Sequence, residues 1–166
     1  MNPRLVEVPI ATPAGEFLAR YSESGLAELN FPPVGRASPR AAKKEMVPAQ
    51  IRAWHRLAET ALKAIFAGRE PKKLPPLDLA GTAFQKSVWN ALRKIPTGKT
   101  KSYGEIAQAI DRPKAVRAVG GACGANPVPV LVPCHRVLAA NKKLGGFSGG
   151  LDWKRELLKR EGINLP

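Results

Sequence analysis

The stretch SYGEIAQAIDRPKAVRAVGGACG, residues 102–124, sets the fold of the second half of the chain. Ser102 and Glu105 stand at capping-box spacing, where a hydroxyl and a carboxylate three residues apart satisfy the free N–H groups that open a helix. Ile106, Ala107 and Ile110 continue one apolar face from there. Asp111-Arg112-Pro113 then breaks the pattern, and Pro113 suits the entry of a second helix because an N–H is unused there. That helix, about 114–124, carries small or aliphatic side chains apart from Lys114 and Arg117. Two short helices joined by a few residues outline a helix-turn-helix, although helical hairpins also occur in ordinary all-α cores. A run of Gly and Ala lets something approach closely. Either a neighbouring helix or a nucleic-acid groove accounts for it, the groove with Arg117 as one long cation reaching into the duplex.

Immediately downstream lies Asn126-Pro127-Val128-Pro129-Val130-Leu131-Val132-Pro133-Cys134-His135-Arg136-Val137. Val130 to Val132 reads as a short buried run, and Pro133 cannot donate to a ladder, so Cys134 falls at a strand end or turn. His135 and Arg136 give its thiol an electropositive setting that favours thiolate. A lone buried cysteine is more often inert, which is the reading taken for Cys123. Adjacent residues on extended backbone face opposite ways, so His135 needs a turn or a bridging water to take the thiol proton. Farther on, the last helix runs from Leu151 to about Glu161. Glu161 shares the apolar face of Leu157 and Leu158 and sits in the final turn, where negative charge opposes the helix dipole. Such a carboxylate needs a partner. A salt bridge to a nearby Lys or Arg is one option, and His135 is the other, giving a Cys–water–His–Glu relay.

Upstream, Thr82 caps a helix with Phe84, Val88, Leu92 and Ile95 on its apolar face, stopped by Pro96-Thr97-Gly98. Residues 4–31 alternate apolar and polar around Pro13-Ala14-Gly15 and Ser22-Glu23-Ser24-Gly25, which predicts about three antiparallel strands. Phe31 to Arg40 is rich in breakers and charge and reads as a surface loop. From Pro48 to about Gly68, Ile51, Trp54, Leu57, Ala61, Leu62 and Ile65 follow helical spacing, with His55 as a surface or boundary residue. Glu70 to Pro76 reads as a linker. The expected class is α+β. Residues 1–75 form a small antiparallel sheet with a helix and a loop over 31–48, and residues 76–166 form a mostly helical, winged-helix-like domain.

Composition narrows the partners. The 166 residues are 44% hydrophobic and 24% charged, as in a soluble globular protein. No apolar run approaches the roughly 20 residues of a membrane span, and the N-terminus lacks a signal-peptide layout, so a cytoplasmic protein is expected. Two cysteines and two histidines without paired ligand spacing argue against a disulfide scaffold or a metal site. Lys and Arg number 27 against 13 Asp and Glu, a formal charge of +14. Residues 1–75 hold 12 basic and 7 acidic groups, and residues 76–166 hold 15 and 6. That weighting suggests a polyanion, with nucleic acid first and an anionic membrane second; a solubilising surface is the plainer alternative.

From Gly81 to Gly162 the chain resembles the O6-alkylguanine-DNA alkyltransferases. The resemblance rests on Phe84-Gln85-x-x-Val88-Trp89, on Ile95-Pro96-x-Gly98-x-Thr100-x-Ser102-Tyr103-Gly104, and on Arg117-Ala118-Val119-Gly120. It continues through Asn126-Pro127, Pro133-Cys134-His135-Arg136-Val137, Gly145 to Leu151, and Leu157-Leu158-x-x-Glu161. Residues 1–75 are similar only through Thr12-Pro13-x-Gly15 and Gly25-Leu26. The resemblance implies irreversible transfer of an alkyl group from O6-alkylguanine, and from O4-alkylthymine, in duplex DNA to Cys134. His135 would accept the thiol proton through water, Glu161 would hold His135, and Asn126 would pin the thiol loop. Tyr103 would bind the flipped guanine and protonate it as it leaves. Arg117 would fill the gap in the base stack from a minor-groove-bound helix, with Lys114, Ala118, Ala122 and Tyr103 on the same DNA face. Ser148 and backbone groups near Cys134 and Val137 would bind the guanine edges, while Pro129 and Phe147 wall the alkyl pocket.

No metal or cofactor is implied, and the partner is lesion-bearing duplex DNA, met by a monomer with cooperative assembly on DNA as a further option. The alternative is a non-catalytic lesion-binding sensor, whose relatives lack the cysteine found here at Cys134. A cysteine hydrolase would need an oxyanion hole that nothing specifies, and a helix-turn-helix regulator would need sequence-specific binding. One local departure is Ala140 to Leu144, where relatives often have a glycine turn.

Overall fold

The alternation over residues 6–30 produces an antiparallel meander of β1 (Val6–Thr12), β2 (Gly15–Tyr21) and β3 (Leu26–Asn30) in a computed structural model that describes residues 4–33 and 46–165. Most of the expected 31–48 loop lies outside the described residues. The first turn is tied by Thr12, whose hydroxyl donates to the Gly15 carbonyl at 2.6 Å and accepts from the Ala14 N–H at 3.2 Å. Period-two geometry sends Ile10, Phe17, Ala19, Tyr21, Leu26 and Leu29 to one buried face.

Helix α1 (Ala49–Phe66) lays Ile51, Ala58, Ala61, Leu62 and Ile65 across that face. His55, expected at the surface or the boundary, lies on the buried side of that boundary. Its Nε2–H donates to the Pro9 carbonyl at 3.2 Å, and the Tyr21 hydroxyl donates to Nδ1 at 2.9 Å. With both ring nitrogens satisfied, an imidazole is tolerated in a core. Burial pushes its pKa down, so it is neutral there.

The predicted 70–76 linker leads into a strap fixed on the sheet. Leu26 N–H donates to Pro76 O at 2.8 Å, and Asp78 N–H donates to Leu26 O at 2.9 Å, so residues 76–78 run along β3.

The second half is built from α2 (Ala83–Leu92), α3 (Tyr103–Ala109), α4 (Val116–Gly124) and α5 (Leu151–Arg160). The predicted Ser102–Glu105 capping box forms, and the predicted Thr82 cap proves to be a full box with Gln85. Helix α2 stops at Leu92, short of the expected Ile95, which is buried just beyond it. Trp89 on α2 donates its indole N–H to the Ala122 carbonyl at 2.8 Å and so locks α2 to α4. Two short parallel strands, β4 (Lys101–Ser102) and β5 (Val137–Leu138), join the start of α3 to the segment after Cys134. The halves meet in an aromatic cluster of Phe17, Phe31, Phe66 and Trp153, with ring centroids 5.1–6.3 Å apart. Among the described residues, no helix is long and apolar enough to cross a membrane.

Candidate active site

Asn126 organises the segment that carries the thiol. Its amide donates to Val132 O at 2.8 Å and accepts from Val128 N–H at 3.0 Å, closing the chain on itself. Of the two settings expected before Cys134, a strand end or a turn, the chain takes the turn, with only an isolated bridge between Pro129 and Val132. Pro127, Pro129 and Pro133 remove ladder donors, and Val130 adopts φ 74°, a left-handed conformation that a β-branched residue rarely takes. Such strain persists only where the surroundings impose it, and Asn126 does so here.

Cys134 opens a 3₁₀ turn, Cys134–Arg136, that swings all three side chains inward. Cys134 is 3% exposed, His135 0% and Arg136 2%. Glu161, just past α5, receives His135 Nε2–H at 2.8 Å, Arg136 Nε–H at 3.0 Å and Gly98 N–H at 3.2 Å. Arg136 also donates to Ile95 O at 2.6 Å and Thr97 Oγ1 at 3.0 Å. The two partners considered for Glu161, a basic residue and His135, bind it together. Burial alone would raise the Glu161 pKa, but the His135 and Arg136 hydrogen bonds outweigh that and hold it at about 2. Burial pushes the His135 pKa down, so the ring is neutral. A carboxylate only accepts, so Nε2 carries the proton and Nδ1 is an acceptor without a protein partner among the described residues.

The thiol differs from expectation. Burial pushes the Cys134 pKa up to about 11, with Asn126 and Lys154 pulling the other way. Arg136, expected to favour thiolate, is committed to Glu161. The cation that acts on the sulfur is Lys154, which sequence reasoning missed. Its ammonium is fully buried and donates to the carbonyls of Val137 (2.7 Å), Gly146 (3.2 Å) and Leu144. It also lies 5.9 Å from the Tyr103 ring centroid. The signal was present, since Lys154 stands three before Leu157 and four before Leu158, on the apolar face that drew attention to Glu161.

Tyr103, Cys123, Cys134, Gly146, Phe147 and Ser148 line one pocket of about 410 Å³. Burial raises the Tyr103 pKa, so it keeps its proton. Cys123 faces the same pocket, but burial raises its pKa to about 12. Pro129 lines an adjoining cleft with Ser148, while Val137 is fully buried and offers only its backbone.

The outer face of α4 answers the question left by its small residues. A Cβ added at Gly120, Gly121 or Gly124 would meet nothing within 4 Å, so no packing among the described residues requires glycine there. Lys114, Arg117 and Ala118 are exposed on this side. Ala122 is a correction, because it is 3% exposed and lies three residues after buried Val119 on the inner face. Among the described residues, no group of three or more His, Cys, Asp and Glu side chains is placed to hold a metal ion.

The chain is similar to known proteins over most of its length. The family model described as the DNA-binding domain of 6-O-methylguanine DNA methyltransferase matches residues 83–163. The methylated-DNA–protein-cysteine methyltransferase of Methanosarcina acetivorans is 46% identical over 154 residues, covering 91% of this chain and 94% of its own. The Mycobacterium tuberculosis protein of that name is 52% identical over 105 residues, or 63% of this chain and 64% of its own. The crystal structure of Mycobacterium tuberculosis OGT in complex with DNA superposes with a TM-score of 0.75 at 39% identity, covering 94% of this chain and 92% of that one.

Proposed function

The chain belongs to the methylated-DNA–protein-cysteine methyltransferase family, and we propose that its Cys134 sulfur is the alkyl acceptor of that DNA-repair activity. The reading is carried by one observation: Cys134 lines a pocket in front of a buried His135–Glu161 pair whose outer ring nitrogen is an unused acceptor.

In this reading Cys134 Sγ attacks the alkyl carbon in line with its bond to guanine O6. The C–S bond forms as the C–O bond breaks, and the electron pair goes to the guanine. The thiol is protonated at rest, so its proton leaves through a water to His135 Nδ1, and Glu161 stabilises the resulting imidazolium. Tyr103 gives its hydroxyl proton to the departing base and is reprotonated from the relay, so the thiol proton ends on guanine. Lys154 provides a buried positive charge beside both the sulfur and the tyrosine while negative charge develops. The product thioether has no hydrolytic exit, so each molecule acts once. O4-alkylthymine offers the same leaving-group chemistry.

A thiol 3% exposed in the lining of a partly open pocket cannot reach O6 inside a base stack. The nucleotide is therefore extruded, which takes a few kcal/mol. The exposed α4 face lies against the minor groove, with Arg117 entering the stack, Lys114 at the phosphates, and Ala118 with the open glycines permitting close approach. Ser148 and backbone near Cys134 and Val137 hold the guanine edges, and Pro129 and Phe147 wall the alkyl group. Residues 76–166 hold both the chemistry and the DNA face, and residues 1–75 form the supporting domain. Two buried free thiols suit the cytoplasm, and the family resemblance implies a monomer acting on duplex DNA.

Arg117→Ala tests the extrusion step. Single-turnover transfer from duplex O6-methylguanine should fall roughly 10–100-fold, as expected for an inserted side chain that offsets a few kcal/mol of unstacking. Transfer from a single-stranded oligonucleotide should change little. An equal loss on both substrates would place Arg117 outside the extrusion step.

A further inference from the structure

Strand β3 ends against the active-site loops. Leu29 N–H donates to Pro127 O at 2.9 Å, beside the Asn126 turn. Immediately beyond the strand, the Phe31 ring lies 5.6 Å from Phe147, 5.1 Å from Trp153 and 5.3 Å from Phe17, centroid to centroid. Gly149 passes beneath that ring so closely that a Cβ there would come within 2.5 Å of it. The first half of the chain thus holds one lip of the site, 126–129, by its backbone and the other, 147–149, by one aromatic side chain.

Between these lips opens a cleft of about 450 Å³ lined by Asn30, Phe31, Pro127, Pro129, Ser148 and Gly149. It shares Gly124 and Ser148 with the thiol pocket, so the two spaces adjoin. A methyl group ends at the carbon that the sulfur attacks. A larger alkyl group continues past that carbon and needs room away from both sulfur and guanine, and this cleft is the adjoining room.

We propose that Phe31 is a specificity-determining positioning residue, which sets the separation of the two lips and hence the size of alkyl group passed to Cys134. The inference rests on the transfer to Cys134 proposed above. Phe31 acts through Phe147 and Gly149 and through the wall it gives the cleft, with no part in the bond-making step.

The test uses the full chain with duplexes carrying O6-methylguanine or O6-benzylguanine, reading the rate of mass gain on the Cys134 peptide in single-turnover reactions. Phe31→Ala should slow methyl transfer about tenfold, because a loosened lip misplaces the base. Benzyl transfer should hold or rise, so the benzyl-to-methyl ratio increases at least tenfold. Phe31→Leu, which keeps apolar bulk, should restore most of the methyl rate and return the ratio toward wild type. Gly149→Ala should lower the ratio in the wild-type background, where the new Cβ crowds the ring, and lose that effect beside Phe31→Ala. Equal slowing of both substrates by Phe31→Ala, or a Gly149→Ala effect that persists without the ring, overturns the proposal. A wild-type protein that alkylates Cys134 with neither duplex overturns the transfer reading itself, which separates the two failures.

Discussion

Cys134→Ala is expected to abolish methyl transfer while leaving duplex binding in place. Removing a covalent nucleophile acts on the order of 10⁴-fold or more, and here no second acceptor replaces it. Cys123 shares the pocket, yet burial holds its pKa at about 12, and among the described residues no base comparable to His135 with Glu161 is hydrogen-bonded to it. In the proposed reading binding rests on exposed Lys114 and Arg117 of α4, whose side chains do not line the thiol pocket. Transfer followed by methyl counting on DNA, and binding followed by anisotropy on the same lesion duplex, separate the two effects. Residual transfer at more than one-hundredth of the wild-type rate would mean that another group accepts the methyl.

Glu161→Gln should damage both chemistry and stability. The carboxylate accepts from His135, Arg136 and the Gly98 N–H, and the amide removes the charge while adding a donor where only acceptors fit. Arg136 is then a buried guanidinium without its counter-ion, a loss of roughly 3–5 kcal/mol. His135 loses the group that fixes its tautomer and stabilises its protonated form, so transfer should slow about 10²–10⁴-fold. The pH dependence has a definite sign. Glu161 titrates at about 2 in the folded chain against 4.5 ordinarily, so its contribution is present above pH 4.5 and is lost as pH falls toward 2. His135 is held neutral by burial, so the unfolded chain takes up that proton first and stability also declines as pH falls below 6.5. Urea midpoints measured across pH should show both declines in the wild type and only the upper one in Glu161→Gln. An unchanged midpoint with the lower decline intact would show that the Glu161 network does not support the fold.

Much of this was legible in the sequence where the physics is local. The Thr82 cap and the Ser102–Glu105 box were readable because capping is decided within four residues. The three strands followed from alternation between turn residues. Glu161 stood out because a carboxylate on an apolar face in a last turn is doubly unfavourable without a partner. Lys154 sits on the same face but went unread, since its three carbonyls come from Val137, Leu144 and Gly146, brought together only by the fold. His55 and Ala122 lie deeper than expected for related reasons. A histidine looks polar until both nitrogens find partners, and alanine suits either side of a helix. The left-handed Val130 has no sequence signal, and the thiol pKa depends on burial that residues flanking Cys134 do not reveal. The roles assigned to Tyr103, Arg117 and Ser148 came from family resemblance, and the structure adds the pocket in which Tyr103 and Ser148 meet the thiol.

The most direct test of the account is intact and peptide mass spectrometry of the wild-type protein after incubation with a duplex carrying one O6-methylguanine. The account predicts a gain of a single methyl group, confined to the peptide containing Cys134, with one lesion lost per protein molecule and no further loss on prolonged incubation. Tight binding with an unchanged mass and an intact lesion would contradict it and leave a lesion-binding protein in its place.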